Sequence, residues 1–143
     1  MKTVAELLRS KPDHAVYTVS PATFVFDAVK LMADKNIGAL MVIDGEKIVG
    51  IFTERDYARK IILLGKASKE TPVRDIMTSS VISVHPSQTN EECMALTTGH
   101  RVRHLPVLVN GKLGGLISIG DLVKDIISEQ KFIIEQLIHY ITS

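Results

Sequence analysis

The feature that most constrains this 143-residue chain is that it repeats itself after 65 positions. With that shift Val19-Ser20-Pro21 falls on Val84-His85-Pro86, Leu40 and Val42 on Leu105 and Val107, Gly50 on Gly115, and Asp56 on Asp121. No gap is needed between Val16 and Ile126, and apolar character persists where identity does not, as in Leu31 with Leu96, Ile48 with Leu113, Ile51 with Leu116 and Ile61 with Ile126. A fixed internal period means one supersecondary unit used twice. The fold therefore has to be derived for one half only.

In the first half, Val16 to Val19 reads as a short strand that Pro21 ends, because its ring fixes the backbone and offers no N–H. Phe24, Ala28, Leu31 and Met32 recur at helical spacing while Asp27, Lys30 and Asp34 face away, which predicts an amphipathic helix. "ALMVIDGEKIVGIF" supplies two β-branched runs, Ala39 to Ile43 and Ile48 to Phe52, around Asp44-Gly45, a hairpin signal repeated by Asn110-Gly111. A helix from about Glu54 to Leu64 follows, with Gly65 as its stop. The order is β-α-β-β-α, twice.

Short helical segments, Thr3 to Ser10 and Thr71 to Thr78, precede the two units, each with a threonine placed to cap it. After the second unit an apolar stripe through Leu122, Val123, Ile126, Ile127, Ile133, Ile134, Leu137, Ile138 and Ile141 continues to the end, broken by Gln130. It extends the repeat by about four helical turns. One unit alone would leave a sheet face bare, so the expected fold is α/β (α+β), two repeats packed around a pseudo-twofold axis. The expected domains are 1–65 and 72–127, with 66–71 as linker and 128–143 as a helical extension.

Charge narrows the function. Lys and Arg number 17 against 16 Asp and Glu, a net charge of +1, so no overall field draws the chain to nucleic acid or an anionic membrane. Aromatic residues make up 5% and tryptophan is absent, which leaves little for a base-stacking platform. The lone Cys93 excludes an internal disulfide or a multi-cysteine zinc site, and reads as a small buried side chain in a reducing compartment. "MKTVAELLRSKPDH" has no secretory apolar core, and no stretch reaches the roughly 20 apolar residues of a membrane span. A cytoplasmic protein is expected, with no nucleic-acid or membrane partner and no metal.

The two strand-to-helix junctions hold the main question. Thr53-x-x-Asp56 and Ser118-x-x-Asp121 fit a helix cap, in which the hydroxyl accepts an N–H and the acid sits well with the helix dipole. The same groups suit a nucleotide, since a helix start favours phosphate and a neighbouring carboxylate accepts both hydroxyls of a ribose. Arg101, Arg103 and His104 supply cations before the second unit's first hairpin strand, where the first unit has Asn36, Gly38 and Ala39. Conversely Arg55 matches Gly120, and Arg59 lies one turn beyond it. A solvated helix face accounts equally for Arg55 and Arg59, and a backbone hydrogen bond at a strand end for His104.

These residues, "GALMVIDGEKIVGIFTERD" and "RVRHLPVLVNGKLGGLISIGDL" above all, closely resemble a tandem pair of cystathionine-β-synthase (CBS) domains, across essentially the whole chain. The likeness is to small stand-alone bacterial proteins of that family. The resemblance implies a disc-like, usually dimeric module whose clefts bind adenosine compounds: AMP first, or ADP, ATP, NAD or S-adenosylmethionine. It implies that Asp56 and Asp121 bind ribose, that Thr53 and Ser118 bond ribose or phosphate, and that Thr18 and Ser83 contact adenine. Ala39 and His104 would wall the clefts, while Arg101 and Arg103 would reach phosphate; Arg55, which separates the first junction from its twin, is a further candidate nucleotide-binding residue.

Three functions follow as expectations. The first is a non-enzymatic adenosine-nucleotide sensor, with an adenine nucleotide as ligand, a homodimer as assembly and a regulated protein as further partner. The second is an assembly module with vestigial clefts, paired through the terminal stripe. The third, disfavoured, is a nucleotide-hydrolysing enzyme using His104 or His85 as base, for which no catalytic carboxylate pair, metal motif or nucleophile elbow is evident.

Overall fold

A computed structural model of the chain describes residues 2–12 and 15–142. Met1, Asp13, His14 and Ser143, which fall within the ranges drawn above, lie outside the described residues. The order is α1 (Val4–Ser10), β1 (Thr18–Val19), α2 (Val25–Lys35), β2 (Ala39–Asp44), β3 (Lys47–Thr53) and α3 (Glu54–Asp56, continuing as a π-helix over Tyr57–Ile62). A 3-10 turn at Val73–Asp75 leads to α4 (Asn90–His100), β4 (His104–Val109), β5 (Lys112–Ser118) and α5 (Ile119–Thr142).

The two hairpins share one register: Ala39 pairs with Thr53 as His104 pairs with Ser118, and the bulge at Val42/Ile43 recurs at Val107/Leu108. Helices α2 and α4 end alike, in the left-handed residues Asn36 and Arg101, both at φ 54. β1 adds a parallel strand to β2, whereas the second unit has only a parallel bridge from Val84 to Val107. The first hairpin turns on Gly45-Glu46 rather than Asp44-Gly45, because Asp44 still pairs with Lys47. Gly45 takes φ +64 there, which glycine adopts without a Cβ penalty.

Two other local readings are corrected. Phe24 is 46% exposed, because it is the extended N-cap residue and has not entered the helical stripe, which buries Val25, Ala28 and Met32 instead. Thr71 caps no helix: its hydroxyl donates to the Ala67 carbonyl, and Pro72 holds the chain extended before a single 3-10 turn. Thr3, by contrast, forms a full capping box with Glu6.

Three apolar clusters hold the molecule. One gathers Val25, Ala28, Met32, Leu40, Val42, Phe52 and Ile61 of the first unit with Val73 and Ile76 from the segment before the second. Another gathers Val84, Cys93, Leu105, Val107, Ile117 and Leu122 with Val4 and Leu7 of α1. The segment ahead of each unit thus covers the other unit's sheet. At the seam Ala39, Met41 and Ile51 are packed against by Val81, Leu113 and Leu116. Burying these faces against each other is what makes two marginal sheets stable.

α5 runs on for 24 residues, about 36 Å at helical rise. Leu122 and Asp125 near its start are buried, but from Ile127 to Thr142 every residue is exposed. No helix among the described residues is long and apolar enough to cross a membrane.

Candidate functional site

Both junctions are helix caps, and each carboxylate is committed in its own way. Thr53 is extended; its Oγ1 accepts the Asp56 N–H at 3.1 Å, and Asp56 Oδ2 in return accepts the Thr53 N–H at 3.1 Å. The Thr53 hydroxyl also reaches Asp56 Oδ2 at 3.1 Å. Asp56 Oδ1 takes the Thr78 hydroxyl at 3.1 Å and the Lys60 ammonium at 3.3 Å. These donors make it tolerable for Asp56 to be only 7% exposed, since a buried carboxylate without them is costly.

In the second junction Ser118 Oγ accepts the Asp121 N–H at 3.2 Å, and Asp121 Oδ2 accepts the Ser118 N–H at 2.8 Å. The same Oδ2 receives the Lys11 ammonium at 2.9 Å, and Lys11 also donates to the Leu116 carbonyl at 2.8 Å. Burial pushes the Asp121 carboxyl up, but the Ser118 backbone N–H and the hydrogen bond and charge of Lys11 outweigh it and hold it below its ordinary value.

Two clefts lie along the seam. The first, about 380 Å³, is walled by Ile51, Val81 and Ile82 and rimmed by Thr53, Asp56, Arg55, Arg59, Arg101 and Arg103. That volume is within the roughly 300–1,000 Å³ typical of small-ligand clefts. Arg55 Nη1 donates to the Arg101 carbonyl at 3.4 Å, which brings the separated charges of the two units to one place. The second cleft, about 270 Å³, is lined by Val16, Tyr17, Ile37, Ala39, Leu116, Ser118 and Lys11. Gly38 and His104 border both. Burial lowers the His104 pKa; the attraction of Asp121 acts the other way, and repulsion from Arg103 and Lys11 lowers it further.

Of the residues singled out in the sequence, Thr53, Arg55, Asp56, Arg101, Arg103 and His104 line the first cleft. Ala39, Ser118 and His104 line the second. Asp121 borders an adjoining groove with Lys2, Lys11 and Asp125, and meets the second cleft through Lys11 and Ser118. Thr18 and Ser83 are exposed and line neither cleft, whereas their neighbours Tyr17 and Ile82 do. Successive residues of an extended chain point to opposite sides, so Tyr17 and Ile82 face the clefts where Thr18 and Ser83 do not.

Sequence reasoning missed Lys11, Tyr17 and Thr78. A tyrosine beside Thr18 was legible as the alternative face of a strand; Lys11 and Thr78 were not, because they arrive from the segments before each unit. Among the described residues no group of three or more His, Cys, Asp or Glu side chains is placed to hold a metal ion.

A unit used twice, with a capped carboxylate at each strand-to-helix junction and paired clefts on the seam, defines a tandem module of small α/β domains. The CBS domain family model matches it twice, over residues 4–63 and 73–128, and the chain belongs to that family. It is 38% identical over 148 residues to CBS domain-containing protein CBSX3, mitochondrial, of Arabidopsis thaliana, covering 97% of this chain and 71% of that one. A solved protein with CBS domains from Burkholderia ambifaria MC40-6 is 60% identical, with TM-score 0.87, covering 90% of this chain and 96% of that one. The structure of CBSX2 in complex with AMP is 27% identical, with TM-score 0.73, covering 90% and 98% of the two chains.

Proposed function

We propose that this chain is a non-enzymatic, cytoplasmic sensor of adenosine nucleotides, which changes shape or exposed surface when its clefts are filled and passes that change to a regulated protein. One observation carries the reading: the first cleft gathers a helix start, the buried Asp56 carboxylate and arginines from both units. Ribose hydroxyls take the place of Thr78 and Lys60 as donors to Asp56, and Arg55, Arg101 and Arg103 meet the phosphate. Ile51, Val81 and Ile82 offer an apolar wall to the base. AMP is the ligand to try first, because CBSX2 was solved with it; NAD, ADP and ATP follow.

Isothermal titration with each nucleotide tests this. Binding by the wild-type protein that Asp56→Asn weakens supports the reading, and no binding at millimolar ligand sinks it. Release of phosphate or nicotinamide during incubation would instead favour an enzyme.

The assembly part of the reading is a homodimer. Phe132, Ile133, Ile134, Leu137, Ile138 and Ile141 are each about half exposed or more along the terminal part of α5, and pairing of identical stripes about a twofold axis buries them.

A further inference from the structure

α5 carries a stricter pattern than an apolar face. Val123, Ile127, Gln130, Ile134, Leu137 and Ile141 follow one another at steps of four and three residues, the d and a positions of a heptad that runs unbroken for 19 residues. The three a positions are all isoleucine, and the d positions are Val123, Gln130 and Leu137. A β-branched a layer with leucine at d suits two parallel strands. The chain does not close this seam itself: its five apolar members are between 40% and 77% exposed, and Gln130 is exposed with them. Leu122 and Asp125, which alternate with the first members, are buried, so the seam starts on a turn fixed to the body and not on a free end.

With Ile133 and Tyr140 on the flank, seven apolar side chains per chain are about half exposed or more. At roughly 60–120 Å² each, they bury on the order of 1,000 Å² in a pair, the size at which an interface becomes specific. The same flank makes the face wider than a two-stranded seam, which invites bundles of three or four helices. Gln130 counters that from the middle of the face. In a parallel pair in register the two Gln130 amides face each other and bond, each keeping one edge to water at the margin of the seam. A shifted register sets them against isoleucine or leucine, and a wider bundle closes the wet edge; both leave a buried amide short of partners.

We propose that α5 pairs with the α5 of a second copy as a parallel, in-register coiled coil from Val123 to Ile141, and that Gln130 is the residue that fixes its register and its limit of two chains. This rests on the homodimer reading given above. It sets both bodies at the same end of the coil, with each Ser118–Asp121 junction beside the first turn.

Disulfide trapping decides the orientation. Equivalent d positions of parallel helices lie within the roughly 4.4–6.8 Å Cα separation that a disulfide spans. Antiparallel pairing about Gln130 would instead set Val123 against Leu137 of the other chain and leave like positions ~21 Å apart. Val123→Cys and Leu137→Cys, each a single variant with Cys93 buried out of reach, should both give covalent dimers on a non-reducing gel after mild oxidation, while the wild type gives none. Gln130→Leu should raise the urea midpoint and carry the mass in analytical ultracentrifugation above two chains, and Gln130→Asn should stay at two. Covalent dimers only when the two cysteines are combined mean antiparallel pairing and overturn the proposal. Absence of any cross-link in a protein of dimer mass overturns it too, leaving the homodimer reading to another face, and a Gln130→Leu protein that stays a dimer overturns the part assigned to Gln130. A single-chain mass for the wild type overturns both readings.

Discussion

Thr78 donates a 3.1 Å hydrogen bond to Asp56 Oδ1, fastening the segment between the two units to the helix start of the first. Thr78 is also bridged to Ile51 through paired backbone bonds of 2.9 Å each. Its side chain thus reports on the first junction and its backbone on the seam. Thr78→Val keeps the shape and removes the donor. It should lower stability by about 1–2 kcal/mol, read by urea denaturation, and the effect should shrink in an Asp56→Asn background.

Gly50 and Gly115 are repeat partners with unequal tolerance. A Cβ at Gly50 would meet Met77 Sδ at 2.6 Å and the Thr78 carbonyl oxygen at 3.0 Å, whereas one at Gly115 would meet the Leu8 side-chain end at 2.7 Å. The leucine can rotate, but the backbone carbonyl cannot move without breaking its bridge to Ile51. Gly50→Ala should cost about 1–3 kcal/mol, and Gly115→Ala less, in parallel denaturant titrations.

Phosphate recognition should divide among the arginines by position. Arg101 and Arg103 come from one unit and Arg55 from the other, and all border the first cleft. Replacing Arg55 or Arg101 with Ala should weaken AMP by about ten-fold, the loss of one charge-assisted bond. Adenosine, which lacks phosphate, should be affected little. Equal losses for both ligands would count against a phosphate role.

pH should act through His104 and Asp121 in ways that differ. Burial holds the folded His104 pKa below its ordinary 6.5, so the unfolded chain takes up the proton first. Its contribution to stability is whole above about pH 6.5, falls as pH drops through that value, and levels off below the folded pKa. Asp121 is lowered despite burial, through Ser118 and Lys11. Its contribution is present above the unfolded carboxylate value and is lost only as pH falls through the folded one. Ring and carboxyl NMR titrations should show both groups titrating below their ordinary values. Lys11→Met should raise Asp121 and leave His104 less depressed.

The exposed half of α5 gives a size prediction. Truncation before Phe132 removes Ile133, Ile134, Leu137, Ile138 and Ile141, all solvent-exposed in the single chain. Analytical ultracentrifugation should show the full chain as a dimer and the truncated one shifted toward monomer. An unchanged mass would take this helix out of assembly.

How far the sequence reached is clearest where the two halves are compared. The repeat was legible because strand pleat and helix turn impose periods on apolar residues, and those periods place the hairpins, the helices and both capped junctions at matching positions. Reading failed where position outweighed residue type. Phe24 looked like the first residue of an apolar stripe but is an N-cap.

The sequence by itself determined the repeated unit, the family to which it belongs and the carboxylate at each junction, because these depend on spacing within a few dozen residues. Only the tertiary structure decided what each carboxylate meets. Lys11 reaches Asp121 across 110 positions and Thr78 reaches Asp56 across 22, because the segment ahead of each unit packs on the other unit's sheet. The apolar burial of Val4 and Leu7, and of Val73 and Ile76, fixes those segments in place. No local pattern encodes which side chain such packing then delivers to a cleft.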